Sequence, residues 1–229
     1  MVASSIDVDT VTGIPVCIFA KSPVPGKVKT RLALSIGDGP AASLAVAMLC
    51  DVWSVVSDAA GVMPVLAAAE EGSFPVSARE NFWLQGPGEL GFRIEQILRR
   101  GLSDAPAAIA LGADSPLLTP AHVNDALHQL ETSDAVIGPC CDGGFYLLGL
   151  HHCPPGLLQN VPWSTAETCE KTARQLRSQG MSVCQLEVLS DVDTLPDLHA
   201  LYNLMQEAPP EIAPFTRQWF AREFEWLAS

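Results

Sequence analysis

Residues 15–31 read PVCIFAKSPVPGKVKTR, and the fold turns on the change of character at their midpoint. Pro15–Ala20 is a short, almost wholly apolar run, as expected of a strand covered on both faces. It empties into Lys21-Ser-Pro-Val-Pro-Gly-Lys-Val-Lys-Thr-Arg31, where two prolines and one glycine stiffen a turn that holds Lys27, Lys29 and Arg31 in fixed relation. The loop is neither a P-loop nor a Rossmann turn, because the glycines those motifs need are missing. A preformed group of cations beside a buried strand suits a di- or triphosphate, Arg as a bidentate fork and Lys as a point charge.

Outward from that strand, apolar runs alternate with helical periodicities. Ala41, Leu44, Ala45, Met48, Val52, Val55 and Val56 recur at helical spacing and predict a helix over about residues 39–58. Val62–Ala68 is a second strand, and Leu90, Ile94, Ile97 and Leu98 mark another helix. Ala107–Leu111 is a buried strand; Thr119-Pro120 opens a helix as cap and first-turn proline. Asp134–Gly138 and Phe145–Leu150 read as strands. Ser164-x-x-Glu167 reads as a capping box starting a helix with Ala166, Cys169, Ala173 and Leu176 inward. Ser182–Leu189 is a further strand, and Thr194-x-x-Asp197 opens a helix over Pro196–Gln206. This alternation predicts one three-layer α/β/α domain with a mostly parallel, doubly wound sheet. It spans residues 14–208, between a flexible segment 1–13 and a C-terminal extension 209–229 that is helical through Trp219 and Trp226.

The chain has 229 residues, 48% hydrophobic and 17% charged, a composition that supports a buried core. Its 13 Lys and Arg stand against 26 Asp and Glu, a net charge of −13. That balance excludes nucleic-acid binding through a phosphate-tracking surface, and it excludes an anchor on anionic membrane. Three of its four lysines nevertheless fall in residues 21–29, so a small anion is expected there. The first 13 residues lack the basic start of a targeting peptide. The seven cysteines are odd in number and form no C-x-x-C pair, so a cytoplasmic protein with reduced thiols is expected. His151-His152-Cys153 reads as a loop rather than a metal cluster.

In a doubly wound sheet the residues just after each strand are the informative ones. Asp114 in Gly112-Ala-Asp114-Ser-Pro116 stands where a carboxylate can hold a divalent ion on a phosphate, although Asp-Ser-Pro is also an ordinary turn. Asp193 follows the Ser182–Leu189 strand and has no capping duty. Two carboxylates from distant strand ends beside a basic loop make a Mg²⁺–diphosphate site geometrically possible. Asp142-Gly143-Gly144 allows either backbone approach to a ligand or a hairpin turn. Gln85-Gly-Pro-Gly-Glu-Leu-Gly91-Phe-Arg93 could read a base or ribose from a helix N-terminus, or be a loop and cap alone.

In this order the five features resemble the DUF2064 family. Lys21–Leu32 is similar to its K-x-P-x-P-G-x-V-K-T-R-L signature, and Gln85–Arg93, Gly112–Pro116, Gly138–Gly149, Trp163-Ser-Thr165 and Asp191–Leu198 match its other blocks. The resemblance spans about residues 14–205 and implies a glycosyltransferase-A type (nucleotide-diphospho-sugar transferase) fold. More distantly the chain is similar to molybdopterin-guanine-dinucleotide synthases, sugar-phosphate nucleotidylyltransferases and phospholactate guanylyltransferases. The resemblance implies phosphate and nucleotide contacts from Lys21, Gly26, Lys27, Lys29, Thr30, Arg31, Gln85, Gly88 and Gly91. It implies Mg²⁺ or Mn²⁺ on Asp114 and Asp193, with Asp191 as a further carboxylate nearby. Asp142, Gly143, Gly144 and Trp163 would border the sugar or acceptor. Lys29, Arg31 and Asp142 would be catalytic. Pro87 and Glu89 depart from the pattern, in the loop that bears on nucleotide identity.

The expected activity is metal-dependent transfer from a nucleotide-diphospho-sugar to a small-molecule acceptor. The alternative is nucleotidyl transfer, in which a phosphorylated metabolite attacks an NTP and pyrophosphate leaves. A third reading is a nucleotide-binding module without turnover.

Overall fold

The computed structural model describes residues 13–78 and 81–223; of the N-terminal segment only Gly13 is described, and Trp226 lies outside the described residues. Seven strands form one sheet: β1 (Ile14–Ala20), β2 (Val62–Ala68), β3 (Phe82–Leu84), β4 (Ala108–Gly112), β5 (Ala135–Pro139), β6 (Phe145–Leu150) and β7 (Val183–Gln185). Their order is β3-β2-β1-β4-β6-β5-β7. Every pairing is parallel except those of β6, which runs antiparallel to both β4 and β5. The helices are α1 (Thr30–Ile36), α2 (Asp38–Asp58), α3 (Leu90–Gly101), α4 (Pro120–Leu130), α5 (Thr168–Ser178), α6 (Leu195–Glu207) and α7 (Pro214–Glu223).

Side-chain alternation along the strands makes the layers. Val16, Ile18, Ile109 and Leu111 meet Leu49, Val52 and Val56 of α2 and Val123 and Ala126 of α4 on one face. Ala108, Ala110, Ile137 and Leu148 meet Ile94 and Leu98 of α3 and Leu176 of α5 on the other. The expected three-layer, mostly parallel architecture is therefore present. A separate cluster joins Leu32, Leu44, Met48, Leu198, Leu201 and Trp219, tying α1, α6 and α7 to the outer side of α2.

Packed on two sides, α2 is apolar over most of its surface, as a core helix is. By length and composition alone it could cross a membrane, whereas here its most apolar window is half buried in the fold. The carboxylate of Asp51, 2% exposed, accepts from the backbone N–H groups of Phe215 and Thr216 and from the Thr216 hydroxyl, fastening the first turn of α7 to α2.

The local expectations fail in a few places, each for a physical reason. The basic loop ends in α1, a helix that its lysines and prolines conceal in the sequence. Strand β3 is only three residues long and shows no periodicity. The Ser164 capping box does not form: Ser164 has φ 59°, not the extended backbone of an N-cap, and α5 starts at Thr168 with Ala166 exposed. Strand β7 is shorter than Ser182–Leu189, because the chain leaves the ladder after Gln185. It then rejoins β5 where Leu189 N–H donates to Pro139 O and Cys141 N–H to Leu189 O. The Asp142-Gly143-Gly144 segment is the turn between antiparallel β5 and β6, closed by Cys140 N–H to Gly144 O at 2.9 Å.

Candidate active site

The carboxyl ends of β1, β4 and β5, the start of β6 and the segment after β7 meet at one rim of the sheet. Registry brings the first pair together: Phe19 lies opposite Gly112, so the loop after β1 runs beside the loop after β4. The parallel bridge of Cys140 to Leu189 brings residues 189–193 alongside the β5 turn.

The loop after β1 ends on Lys29, whose backbone is left-handed (φ 48°, ψ 40°) at the N-cap of α1. A non-glycine residue held there is strained by about 1–2 kcal/mol. Its ammonium explains the strain. The side chain is 5% exposed, and Nζ lies 2.8 Å from Asp114 Oδ1 and 3.1 Å from Asp193 Oδ1. Arg31, 69% exposed, pairs with the other oxygen of Asp193. Burial alone would lower the Lys29 ammonium's pKa, but the two carboxylates outweigh it and hold it above the ordinary value. Burial likewise pulls Asp193 upward, and Lys29 and then Arg31 overcome it and keep that carboxyl below its usual range.

Around this network is a cleft of about 480 Å³, lined by Lys21, Lys27, Lys29, Thr30, Arg31, Gln85, Arg93, Asp114 and Asp193 among others. Gln85 is 4% exposed, and its amide is engaged at both ends: Nε2 donates to Ala67 O at 2.7 Å, and Oε1 accepts from Arg93 Nη1 at 3.1 Å. Arg93 Nε is buried with no partner among the described residues. Gly86 and Gly88 carry φ of 78° and 106° in the same loop, and Gly26 carries 79° in the basic loop.

A second cavity of about 690 Å³ opens on the other side of Arg31 and Asp193 and shares them with the first. Asp142, Gly144, Phe145, Trp163, Thr165 and Asp191 line it. Phe145 and Trp163 meet edge to face at 5.9 Å. Ligand atoms of Cys140, Asp142 and Asp191 lie within 4.8 Å of one another, a group that could hold a metal ion. Burial, then Asp142 and Asp193, push the Asp191 carboxyl up to about 6.

The structure thus gathers Lys21, Lys27, Lys29, Thr30, Arg31, Gln85, Asp114 and Asp193 on one cleft and Asp142, Gly144 and Trp163 on its neighbour. Two glycines serve packing. A Cβ at Gly91 would lie 2.6 Å from Trp163 Nε1, and one at Gly143 would lie 2.1 Å from Ala166 O, so these residues admit neighbouring protein atoms. Asp114 and Asp193, the carboxylates expected at a metal, converge on the Lys29 ammonium. Sequence reading named Arg93 only as the end of the glycine-rich stretch, and it did not bring Cys140 beside Asp191. Arg93 could have been found as the one cation of the glycine-rich loop, three residues after Leu90 on α3.

Known proteins share this fold and part of this sequence. The family model described as "Uncharacterized protein conserved in bacteria (DUF2064)" matches residues 53–165. A phosphoenolpyruvate guanylyltransferase of Conexibacter woesei is 30% identical over 188 residues, covering 77% of this chain and 82% of that protein. A structure from Desulfovibrio desulfuricans G20, provisionally assigned as a nucleotide-diphospho-sugar transferase, superimposes with TM-score 0.81 at 26% identity, covering 91% of this chain and 98% of that one. CMP:2-keto-3-deoxy-manno-octonic acid synthetase with CTP shares the fold at TM-score 0.51 and 15% identity, over 85% and 99% of the two chains. The chain belongs to the DUF2064 family and is a transferase of the nucleotide-diphospho-sugar transferase fold, of the nucleotidyl- or glycosyl-transferring kind.

Proposed function

We propose that this protein is a nucleotidyltransferase that joins the nucleoside monophosphate of an NTP to a small phosphorylated acceptor and releases pyrophosphate. One observation carries the reading: Lys21, Lys27, Lys29, Arg31 and Arg93 all line a single cleft of an otherwise acidic protein, a charge that matches a triphosphate. The similarity to a guanylyltransferase over most of both chains supports it. A phosphate oxygen of the acceptor attacks the α-phosphorus, the bond from that phosphorus to the bridging oxygen breaks, and its electron pair leaves on pyrophosphate. Arg31 stands where the two cavities join, and Lys29 lines the first beside it, bonded to the same Asp193, so both are placed to neutralise charge that grows on the transferring phosphate. Lys21 and Lys27 would hold the phosphates that leave.

Asp114 and Asp193 suit Mg²⁺ or Mn²⁺, since both are hard oxygen donors that already converge on one cation, the Lys29 ammonium. Such an ion would supply charge neutralisation on the phosphates. Asp142 and Asp191, with the Cys140 thiol, offer a second place on the acceptor side. The seven free cysteines support a reducing, cytoplasmic setting.

A second reading is glycosyl transfer from a nucleotide-diphospho-sugar. The acceptor cavity favours it, with Trp163 and Phe145 beside Asp142 and Asp191 and Arg31 as its cation, a lining suited to a neutral hydroxylated acceptor. The deciding experiment incubates the protein with Mg²⁺ or Mn²⁺, each NTP, and phosphoenolpyruvate, phospholactate or sugar phosphates, and measures pyrophosphate. Pyrophosphate that depends on acceptor supports nucleotidyl transfer. Its absence, with release of nucleoside diphosphate from a nucleotide sugar, establishes glycosyl transfer instead.

A further inference from the structure

We propose that Glu95 is a positioning residue for the acceptor: its buried carboxyl fixes the loop that sets Trp163 in the wall of the second cavity. The inference rests on the reading of that cavity as the acceptor's. Glu95 stands in the middle of α3, is 4% exposed and lines neither cavity. Its two oxygens accept from two backbone N–H groups of one loop, Gly156 at 2.9 Å and Leu158 at 2.5 Å. A carboxyl taken out of water is costly unless such bonds satisfy it. Attachment alone does not need one, since Leu157, Leu158 and Val161 already pack with Ile94 and Leu98 of the helix. Apolar contact is non-directional, whereas bonds to two amides of one turn fix the loop's register along α3.

That register decides where Trp163 falls. Gly91 and Glu95 share one face of α3, a turn apart. A Cβ at Gly91 would lie 2.6 Å from Trp163 Nε1 and 2.9 Å from Leu158 O, so the helix receives the loop at two points, a carboxyl and a gap. Just past Trp163, Ser164 is held at φ 59°, a left-handed backbone that persists only where the surroundings over-determine it. The buried Thr168 hydroxyl supplies the far fastening, donating to Pro162 O at 2.7 Å. Trp163, Ser164 and Thr165, between these fastenings, line the second cavity, where the indole meets Phe145 edge to face. The first cavity takes no residue from this loop. Glu95 therefore acts on the acceptor's wall from behind, without touching it.

In the whole protein labelled with fluorotryptophan, the Trp163 fluorine resonance is assigned through Trp163→Phe. It should shift or broaden in Glu95→Gln while those of Trp53 and Trp219 stay in place, because glutamine turns an amino donor toward one of the two N–H groups. Glu95→Asp keeps both oxygens at a shorter reach and should fall between; if Glu95→Gln fails to fold, it carries the same comparison. Turnover is then followed with the NTP and whichever of phosphoenolpyruvate, phospholactate or a sugar phosphate releases pyrophosphate. Glu95→Gln should lower kcat/KM for that acceptor about 10- to 100-fold and leave the nucleotide Kd unchanged. In a Trp163→Ala background it should cost little more, since its effect passes through that side chain. An unmoved Trp163 resonance overturns the inference. So does full additivity with Trp163→Ala, or an equal loss toward nucleotide and acceptor, either of which makes Glu95 a general support of the fold. A moved resonance with unchanged acceptor kinetics overturns its role toward the acceptor. If no acceptor releases pyrophosphate, the nucleotidyl reading fails by itself, and the resonance still decides whether Glu95 positions Trp163.

Discussion

The two cavities that meet at Arg31 and Asp193 are built from opposite materials. The nucleotide side takes its cations from a stiff loop after a parallel strand, and it has carboxylates only where an ammonium pairs them. The acceptor side takes aromatic rings and carboxylates from an antiparallel turn and a loop, and it leaves Asp142 close enough to help push the Asp191 carboxyl up. One side has its carboxylates paired with cations before any ligand arrives, and the other does not. The contrast suggests a division of work: the first half binds a highly charged nucleotide, and the second gains its full order from an acceptor or a cation.

The largest test of that division is Lys29→Gly. Glycine adopts φ 48° without the strain a lysine bears, so the substitution removes the charge while keeping the turn. Activity should fall about 10²- to 10³-fold, as when one preorganised electrostatic donor is removed. Stability should change by only about 1 kcal/mol, since Asp114 is half exposed and Asp193 a third, so water screens both. Steady-state kinetics beside thermal melts separate the two effects. A large loss of stability with normal turnover would make Lys29 a structural lock.

Next in size is Gly143→Ala, which acts on the other half. A Cβ there would lie 2.1 Å from Ala166 O at a backbone φ of 89°, so the Trp163–Thr168 loop must give way. A cost of about 1–3 kcal/mol in stability is expected, with a raised KM for acceptor and an unchanged affinity for nucleotide. A matching loss of nucleotide affinity would show that the two halves do not act separately.

Much of this division was legible in the sequence, and the illegible part has a common cause. The basic loop, Asp114 and Asp193 each follow a strand whose hydrophobic run is plain, so a doubly wound sheet brings them to one rim. Residues that met only through tertiary structure gave no local signal. Cys140 and Asp191 become neighbours because the chain rejoins β5 at Leu189 after leaving the β7 ladder, and no periodicity marks that return. Gly91 and Gly143 carried the opposite lesson. A glycine beside a candidate site suggests ligand approach, yet here Trp163 and Ala166 occupy the space. The antiparallel course of β6 was available only as one of two readings of Asp142-Gly143-Gly144. Gln85 was chosen for its place in the glycine-rich stretch that ends at Arg93, and the hydrogen bond that joins the two left no signal in the sequence.

The smallest expected effect tests the electrostatic contrast itself, through pH. Asp191 and Asp193 are two residues apart and shifted in opposite directions. Asp193 is held below its ordinary value, so it contributes stability above about pH 4 that is lost as pH falls through its lower folded value. Asp191 is raised to about 6, so its contribution runs the other way: fully present below its unfolded value and lost as pH rises through about 6. In metal-free buffer, Asp191→Asn should therefore gain stability relative to wild type as pH climbs from 5 to 7, whereas Asp193→Asn should be the less stable protein throughout that range. Added Mn²⁺ should narrow the Asp191→Asn advantage at pH 7, because a bound cation relieves the repulsion the substitution removes. Melting curves across pH read both signs in one experiment. If the two variants track each other with pH, Asp191 and Asp193 share one environment, and the boundary between paired and unpaired carboxylates does not run between them.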